Sequence, residues 1–495
     1  MATTTAGAGG ASPAAPRRQL TLLDSTSIIV GIIIGSSIYE SAPLIAKSLP
    51  STAWLLGMWV LGGVLSLIGA LCYAELATAY PTEGGDYVYL TRAFGRKLGF
   101  LFGWAQFWVV RPGSIGAMSY VFARYANQLW HLGEGSSPLI AYAVGAILVL
   151  TGVNLLGVQP GKWTQNVLTV VKFAGLAAVV VAGFYAGSPR NFAPGAGPPR
   201  SLSLDGLSLA MILIFYAYGG WNEMAYVGAE VRNPQKNILR ALVLGTVAVA
   251  SLYVMLNLAF VYALGLDGTA GSQVVAASVV EKAAEKTAAD RAAETPDAQW
   301  NAAEDRRPDH IARARSRAGG LISGLICISA LGAINGMIFT GARIYYAMGM
   351  EHRLYAWLGQ WSARRDAPIR SLLIQGLVTV VLAVGFGLTP NGFESSVKFT
   401  TPVFWAFFFL VGLGLFVLRY REPGQPRPYR VPLYPLTPIV FCLCSLFMIY
   451  TSLTFAVNNK TYEALWAVGL LAVGLVLSYF DPQRRVTAAH PSRAP

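Results

Sequence analysis

About twelve stretches of this chain are apolar over roughly 20 residues, the length a bilayer's hydrocarbon demands of a crossing helix. They lie near 22–49, 53–79, 98–127, 138–157, 163–186, 206–231, 239–265, 318–349, 370–388, 399–419, 433–455 and 461–480. The expected fold is an all-α integral membrane protein with about twelve transmembrane helices. Composition agrees: 54% of the 495 residues are hydrophobic and only 12% charged, against about a quarter charged in a soluble domain. The first run is too long for a signal-peptide core and leads directly into another span, so it reads as a retained helix.

A formal charge of +13 raises the question of nucleic acid, and its distribution answers it. Arg17 and Arg18, Arg92 with Arg96 and Lys97, Lys162, Arg232 with Lys236, Arg353 through Arg370, Arg421 through Arg430, and Arg484 with Arg485 share one side if the spans alternate. That side is cytoplasmic by the positive-inside rule, which puts both termini there and makes a bilayer, not nucleic acid, the partner. Residues 1–21, rich in Ala, Gly, Thr, Ser and Pro, and 481–495 read as disordered cytoplasmic tails. A long extracytoplasmic loop is expected over 266–318, with helical spacing from Val274 to Ala289 and a flexible insert after it.

Two of the apolar runs are interrupted. One carries Gly219-Gly220 at its middle, within Phe215-Tyr216-Ala217-Tyr218-Gly219-Gly220-Trp221-Asn222; glycine costs a helix interior about 1 kcal/mol against alanine. The other is broken at Gly35-Ser36-Ser37-Ile38-Tyr39. In hydrocarbon a broken helix persists where its freed backbone lines a cavity or is buried in protein, and two such breaks separated by about four unbroken spans are the mark of an inverted-repeat transporter. The competing reading is that the small residues only permit close helix packing.

Chemistry of other kinds finds little support. The cysteines, Cys72, Cys327, Cys442 and Cys444, all fall in apolar runs, and the four histidines are scattered, so neither a disulfide framework nor a metal site is expected. No HExxH, CxxC, GxSxG or phosphate-cradling glycine loop stands in a supporting context, and neither an enzyme nor a cofactor is expected.

Together these residues resemble the amino acid/polyamine/organocation superfamily, and within it the L-type amino acid transporters and their bacterial relatives. The likeness rests on the two broken stretches, on Glu230 to Pro234, and on Cys72 to Leu76, Pro81 to Leu90, Gly99 to Trp104, Arg111-Pro112 and Gly332 to Arg343. It implies a five-plus-five inverted repeat with broken first and sixth helices, the repeats covering about 22–187 and 206–420 with two extra helices at 433–480. It also implies transport of amino acids by alternating access, as sodium-independent exchange of neutral L-amino acids. The alternatives are a proton-coupled cationic amino acid or polyamine permease and, in another class, a membrane-embedded sensor. Animal relatives carry a cysteine in the loop after the third span that joins a heavy-chain glycoprotein; Ala126 to Pro138 contains none, so no such partner is expected.

For a zwitterionic substrate, the helix N-terminus beginning near Ser36 to Ile38 suits a carboxylate and the carbonyl end near Phe215 to Tyr218 suits an ammonium. The candidate substrate-binding residues are therefore Gly35, Ser36, Ser37, Ile38, Phe215, Tyr216, Tyr218, Gly219 and Gly220. The resemblance makes Tyr216 the gate and Lys172 the coupling residue, in the place where sodium-driven relatives of this fold hold an ion; the alternative for Lys172 is a snorkelling lysine. The family's usual Gly-Ser-Gly is Gly35-Ser36-Ser37 here. Glu40 and Glu223 each follow a break by three residues and are candidates for charge selectivity. Arg111 reads as a structural intramembrane cation, and Glu75 and Glu230 as partners for arginine or lysine in a closed inner gate.

Overall fold

A computed structural model of the chain describes residues 16–35, 37–192, 201–293, 307–389, 392–458 and 462–481. The helices, in order, begin with α1 (Leu22–Ile33), α2 (Ser37–Ser48), α3 (Thr52–Ala79) and the short α4 (Asp86–Phe94). Next, α5 (Arg96–Ala105) passes through a π turn at Gln106–Val110 into α6 (Arg111–Leu129), followed by α7 (Ser136–Leu155) and α8 (Val158–Ala186). The second half comprises α9 (Leu204–Tyr218), α10 (Pro234–Gly271), α11 (Val275–Ala293), α12 (Arg307–Glu351), α13 (Ile369–Gly387), α14 (Gly392–Arg421), α15 (Leu436–Asn458) and α16 (Tyr462–Phe480). Among the described residues nine helices are long and apolar enough to cross a membrane, and the bent pair α1–α2, which turns by 47°, makes a tenth. No β-sheet is present among them, only isolated bridges.

Local chemistry sets the helix starts. Thr21 and Asp24 form a reciprocal capping box at α1, Ser51 caps α3 and Ser203 caps α9, each satisfying N–H groups that a first turn leaves without partners. The two interrupted helices occupy the middle: α1 packs against α8, α10 and α12, and α2 against α9 and α10. Bulky apolar side chains such as Val149, Val170, Val181 and Val381 point outward and are exposed, as a lipid-facing surface requires.

The structure adds detail at two element ends. The tail expected to run through residue 21 is already docked at Gln19 and Leu20, whose N–H groups donate to the Glu230 carbonyl, both at 2.8 Å, while Arg232 N–H returns a bond to Leu20 O at 2.9 Å. Residues 1–15 lie outside the described residues. The long loop is largely helical: α10 continues to Gly271 through a kink at Gly265 (φ 75°), and α12 starts at Arg307. α11 lies back on the bundle because Val275, Ala276 and Val279 are fully buried. The insert over 294–306 lies outside the described residues.

Candidate functional site

Both breaks border one cavity of about 300 Å³ in the centre of the bundle. On one side α1 ends at Ile33, and Gly35 in the break and Ser37 at the start of α2 line the cavity. On the other, α9 ends at Tyr218; the chain turns through Gly219 (φ −63°, ψ 150°) and left-handed Gly220 (φ 110°) into a 3-10 segment at Trp221–Tyr226. The first-turn N–H groups of α2 and the last-turn carbonyls of α9 thus lose their intrahelical partners at the same place. Their partial charges are of opposite sign.

The two glycines differ in what they require. A side chain at Gly220 would need a strained positive φ and would meet Ile32 at 2.7 Å, so this is the position where only glycine fits. Gly219 has a φ open to any residue, and a Cβ there meets nothing nearer than the Tyr216 carbonyl at 3.4 Å. It borders the cavity, and a large side chain there would fill it.

Of the residues singled out in the sequence, Gly35, Ser37, Phe215, Tyr216, Gly219, Gly220, Glu40 and Glu223 line the cavity. Ser36 lies outside the described residues. Ile38 and Tyr218 are not brought to it: Ile38 is fully buried, and Tyr218 turns toward α3, donating to Trp59 O at 3.0 Å between the rings of Trp59 and Tyr253. Tyr216 is half-buried with its ring edge-on to Phe393, centroids 6.5 Å apart. Met118, Met337, Phe404 and Trp405 complete apolar walls that no spacing in the sequence assigned to the site.

Each carboxylate of the cavity is answered by an arginine. Glu223 Oε2 lies 2.8 Å from Arg111 Nη1 and accepts from Thr340 Oγ1 at 2.5 Å; Arg111 also donates to Gln106 Oε1 at 3.2 Å. Glu40 Oε1 lies 3.3 Å from Arg124 Nη1, nearer the surface, where both side chains are partly exposed. Arg124 also borders a wider cavity of about 720 Å³ with Tyr120, Asn127 and Phe393.

Lys172 stands behind α1 rather than in the cavity. It is fully buried on α8, and its ammonium donates to three backbone carbonyls: Gly31 O at 2.5 Å, Ile34 O at 2.9 Å and Ser329 O at 3.2 Å. It therefore ties the end of α1 to α12.

α1 runs from Leu22 to its break and α2 onward to Ser48, so the Leu20 end and the Leu44 end of this pair face opposite sides. The Leu44 side opens through the cavity, which Leu44, Phe393 and Thr401 line. The Leu20 side is closed by the strap at Gln19–Leu20 and by a buried pair, Arg343 Nε to Glu230 Oε1 at 2.7 Å and Arg343 Nη2 to Glu230 Oε2 at 3.2 Å. On the same side Asp24 pairs with Lys162 at 3.1 Å and Glu75 with Arg419 at 2.5 Å. In the loop between α3 and α4, burial pushes the Glu83 carboxyl up to about 7, with Glu230 adding to the rise and Arg343 opposing it.

The family model described as amino acid permease matches residues 20–292 and 311–477, most of the chain. The chain belongs to the amino acid permease family. Among curated relatives, this permease is 30% identical to the b(0,+)-type amino acid transporter 1 of Mus musculus over 94% of its own length and 88% of that protein's. It is 28% identical to the serine/threonine exchanger SteT of Bacillus subtilis (strain 168), covering 88% of this chain and 91% of the exchanger. The cystine/glutamate transporter of Homo sapiens is also 28% identical, over 88% and 80% of the two chains. These relatives are transporters, and the permease is a multi-pass membrane protein rather than an enzyme.

Proposed function

We propose that this permease is a sodium-independent exchanger of neutral L-amino acids, working by alternating access around the central cavity. The observation that carries the reading is the shared cavity at the two helix breaks. It offers α2 N–H groups to a carboxylate and α9 carbonyls to an ammonium, and leaves apolar walls for the side chain. Glu40 and Glu223, engaged by Arg124 and Arg111, leave the cavity without an unpaired charge. This pairing favours neutral over cationic substrates, although both carboxylates border the cavity.

Twelve crossings follow if the bent pair α1–α2, the run α5 to α6, and α16 are added to the nine long helices. On the family plan the first ten form two inverted repeats. The structure is then sealed on the cytoplasmic side, where Leu20 docks and both termini belong, and the protein resides in the cell membrane without a heavy-chain partner. Lys172 acts as a fixed brace: its ammonium occupies the carbonyl cluster that a sodium ion would need, and a second cation there is repelled in a poorly screened interior. Tyr216 serves as the gate over the substrate.

The test is uptake into proteoliposomes preloaded with leucine, with leucine, arginine, putrescine and glutamate as competitors, with and without sodium. Leucine should exchange without sodium and yield little to arginine or putrescine. Competition by arginine equal to that by leucine would transfer the assignment to a cationic permease, and saturable binding without uptake would indicate a sensor. In the same assay Tyr216→Phe should keep most of the exchange and Tyr216→Ala lose most of it, because the ring does the occluding. Equal loss in both would assign the role to the hydroxyl.

A further inference from the structure

Five carboxylates are buried among the described residues: Asp24, Glu75, Asp86, Glu223 and Glu230. Four have a cationic group close by, Asp24 with Lys162, Glu75 with Arg419, Glu223 with Arg111 and Glu230 with Arg343, at 2.5 to 3.1 Å. Asp86 forms no ion pair with the described residues. It is the first residue of α4 and only 1% exposed. Its Oδ2 accepts from Tyr73 at 3.0 Å and from Tyr226 at 2.8 Å, while its Oδ1 is buried without a hydrogen-bond partner. Asn222 donates to the same Tyr226 hydroxyl at 3.1 Å, and its own Oδ1 is likewise without a partner.

Two acceptor oxygens beside one tyrosine therefore lack a donor, in a cluster whose formal charge does not balance. Asp86 is faced by Tyr73 of α3, Tyr89 of its own helix, Tyr226 and Glu223 of the 3-10 segment, and Arg111 of α6. That is one guanidinium for two carboxylates, and the guanidinium is already paired with Glu223. An uncompensated carboxylate in a dry interior is costly. A proton on Oδ1 removes the charge and ends the cost of an unpartnered carboxylate oxygen.

The cluster is attached to the unwound segment that follows the break at Gly220. Tyr226 and Asn222 belong to the 3-10 stretch that follows Gly220. The loop that leads into Asp86 is bound to that stretch by the bond from Gly84 N–H to Tyr226 O, 3.2 Å, and by the bridge between Glu83 and Val227.

We propose that Asp86 is a proton-binding site, loaded while the cytoplasmic face is sealed and emptied to the cytoplasm when that face opens, so that cytoplasmic pH governs the exchange cycle. The proposal rests on the transport reading for its sidedness, while the site itself rests on the unpaired carboxylate. Burial pushes the Asp86 carboxyl up to about 7, the bonds from Tyr226 and Tyr73 pulling it down, Glu223 adding to the rise and Arg111 opposing it.

The consequence for stability has a definite sign. An acid with a folded value raised above its unfolded one, about 3.9, binds more protons when folded. Stability is therefore lost as pH rises between the two values and the loss is complete above the folded one. Asn at this position keeps an acceptor for the tyrosines and provides a permanent donor.

The experiment compares wild type, Asp86→Asn, Glu83→Gln and Tyr226→Phe in small steps from about pH 6 to about pH 8.5, between whose ends the protonated fraction of a group titrating near 7 differs by about thirtyfold. Leucine exchange in proteoliposomes buffered equally on both sides should slow at least about fivefold in wild type at the higher pH. In Asp86→Asn the ratio between the two ends of the range should fall by more than half, and in Glu83→Gln, which removes the other carboxyl of this loop raised to about 7, it should stay nearer the wild-type value than in Asp86→Asn. Thermal unfolding of the purified protein should show Asp86→Asn gaining on wild type as pH rises. Tyr226→Phe, which removes one donor from the carboxylate, should move the wild-type inflection to higher pH. Parallel pH profiles for wild type and Asp86→Asn, loss of the pH effect in Glu83→Gln instead, or an unmoved inflection in Tyr226→Phe would each overturn the site. Absence of leucine exchange in every protein would defeat the transport reading, and the unfolding profiles would still decide the proton site.

Discussion

Lys172→Met should lose at least about nine-tenths of exchange and unfold at a lower temperature, although methionine preserves most of the stem's apolar packing. The ammonium serves three carbonyls, of Gly31, Ile34 and Ser329, in a fully buried position. Leaving a buried acceptor without its donor costs about 1–3 kcal/mol, and two of these acceptors belong to the end of α1, which borders the proposed site. The substitution therefore loosens the break itself and its tie to α12. Exchange in proteoliposomes and thermal unfolding measure the two effects. Wild-type exchange in Lys172→Met would remove the brace from the account, and sodium-stimulated uptake by the wild type would overturn the assignment of Lys172 altogether.

A loss of similar size is expected from Glu230→Gln, by a different route. Arg343 is 1% exposed and held by both oxygens of Glu230, by the Phe339 carbonyl at 2.6 Å and over the Phe339 ring at 3.9 Å. Removing the charge of its partner leaves a guanidinium buried without compensation, which costs about 3–5 kcal/mol. If the sealed state alone bears that cost, its population falls by upward of about a hundredfold. The Gln19 and Leu20 N–H groups bond to the backbone carbonyl of Glu230, which glutamine keeps, so the effect comes from the side-chain pair and not from the strap's own bonds. Exchange should fall sharply, and a cysteine reagent added from the cytoplasmic side should reach a reporter cysteine introduced at Gly219 faster than in the otherwise wild-type background. Replacing both partners, as Glu230→Met with Arg343→Met, should recover part of the lost stability, because no uncompensated charge is left. Additive losses in the double variant would show that the pair does not act as a unit.

The parts of this architecture legible in the sequence were those carried by local chemistry. The breaks at Gly35 to Ser37 and at Gly219-Gly220 are where apolar runs meet residues that helices disfavour, and the structure interrupts its helices at both. The distinction between Gly219 and Gly220 was not legible, since glycine pairs look alike until φ is known; Gly220 needs its freedom, whereas Gly219 leaves room. The orientation of Tyr218 depends on Trp59 and Tyr253, which lie far away in the chain.

Pairings across long separations were equally hidden. Arg111 was recognisable as an intramembrane cation and Glu223 as a carboxylate near a break, but no spacing joins them. The strap at Gln19 and Leu20 works through backbone bonds to Glu230 and Arg232, which leave no mark in side-chain patterning. Asp86 was visible only as one letter of a familiar motif. The one guanidinium that faces it, Arg111, is already paired with Glu223, a relation that no spacing carries.

The central claim, that an amino acid sits between the two breaks, is tested most directly by equilibrium binding of radiolabelled leucine to purified protein in sodium-free buffer. Wild type should bind saturably, one leucine per chain. Gly219→Leu, whose side chain enters the cavity from a backbone conformation any residue accepts, should bind none while unfolding at nearly the wild-type temperature. Undiminished binding by Gly219→Leu would contradict the account.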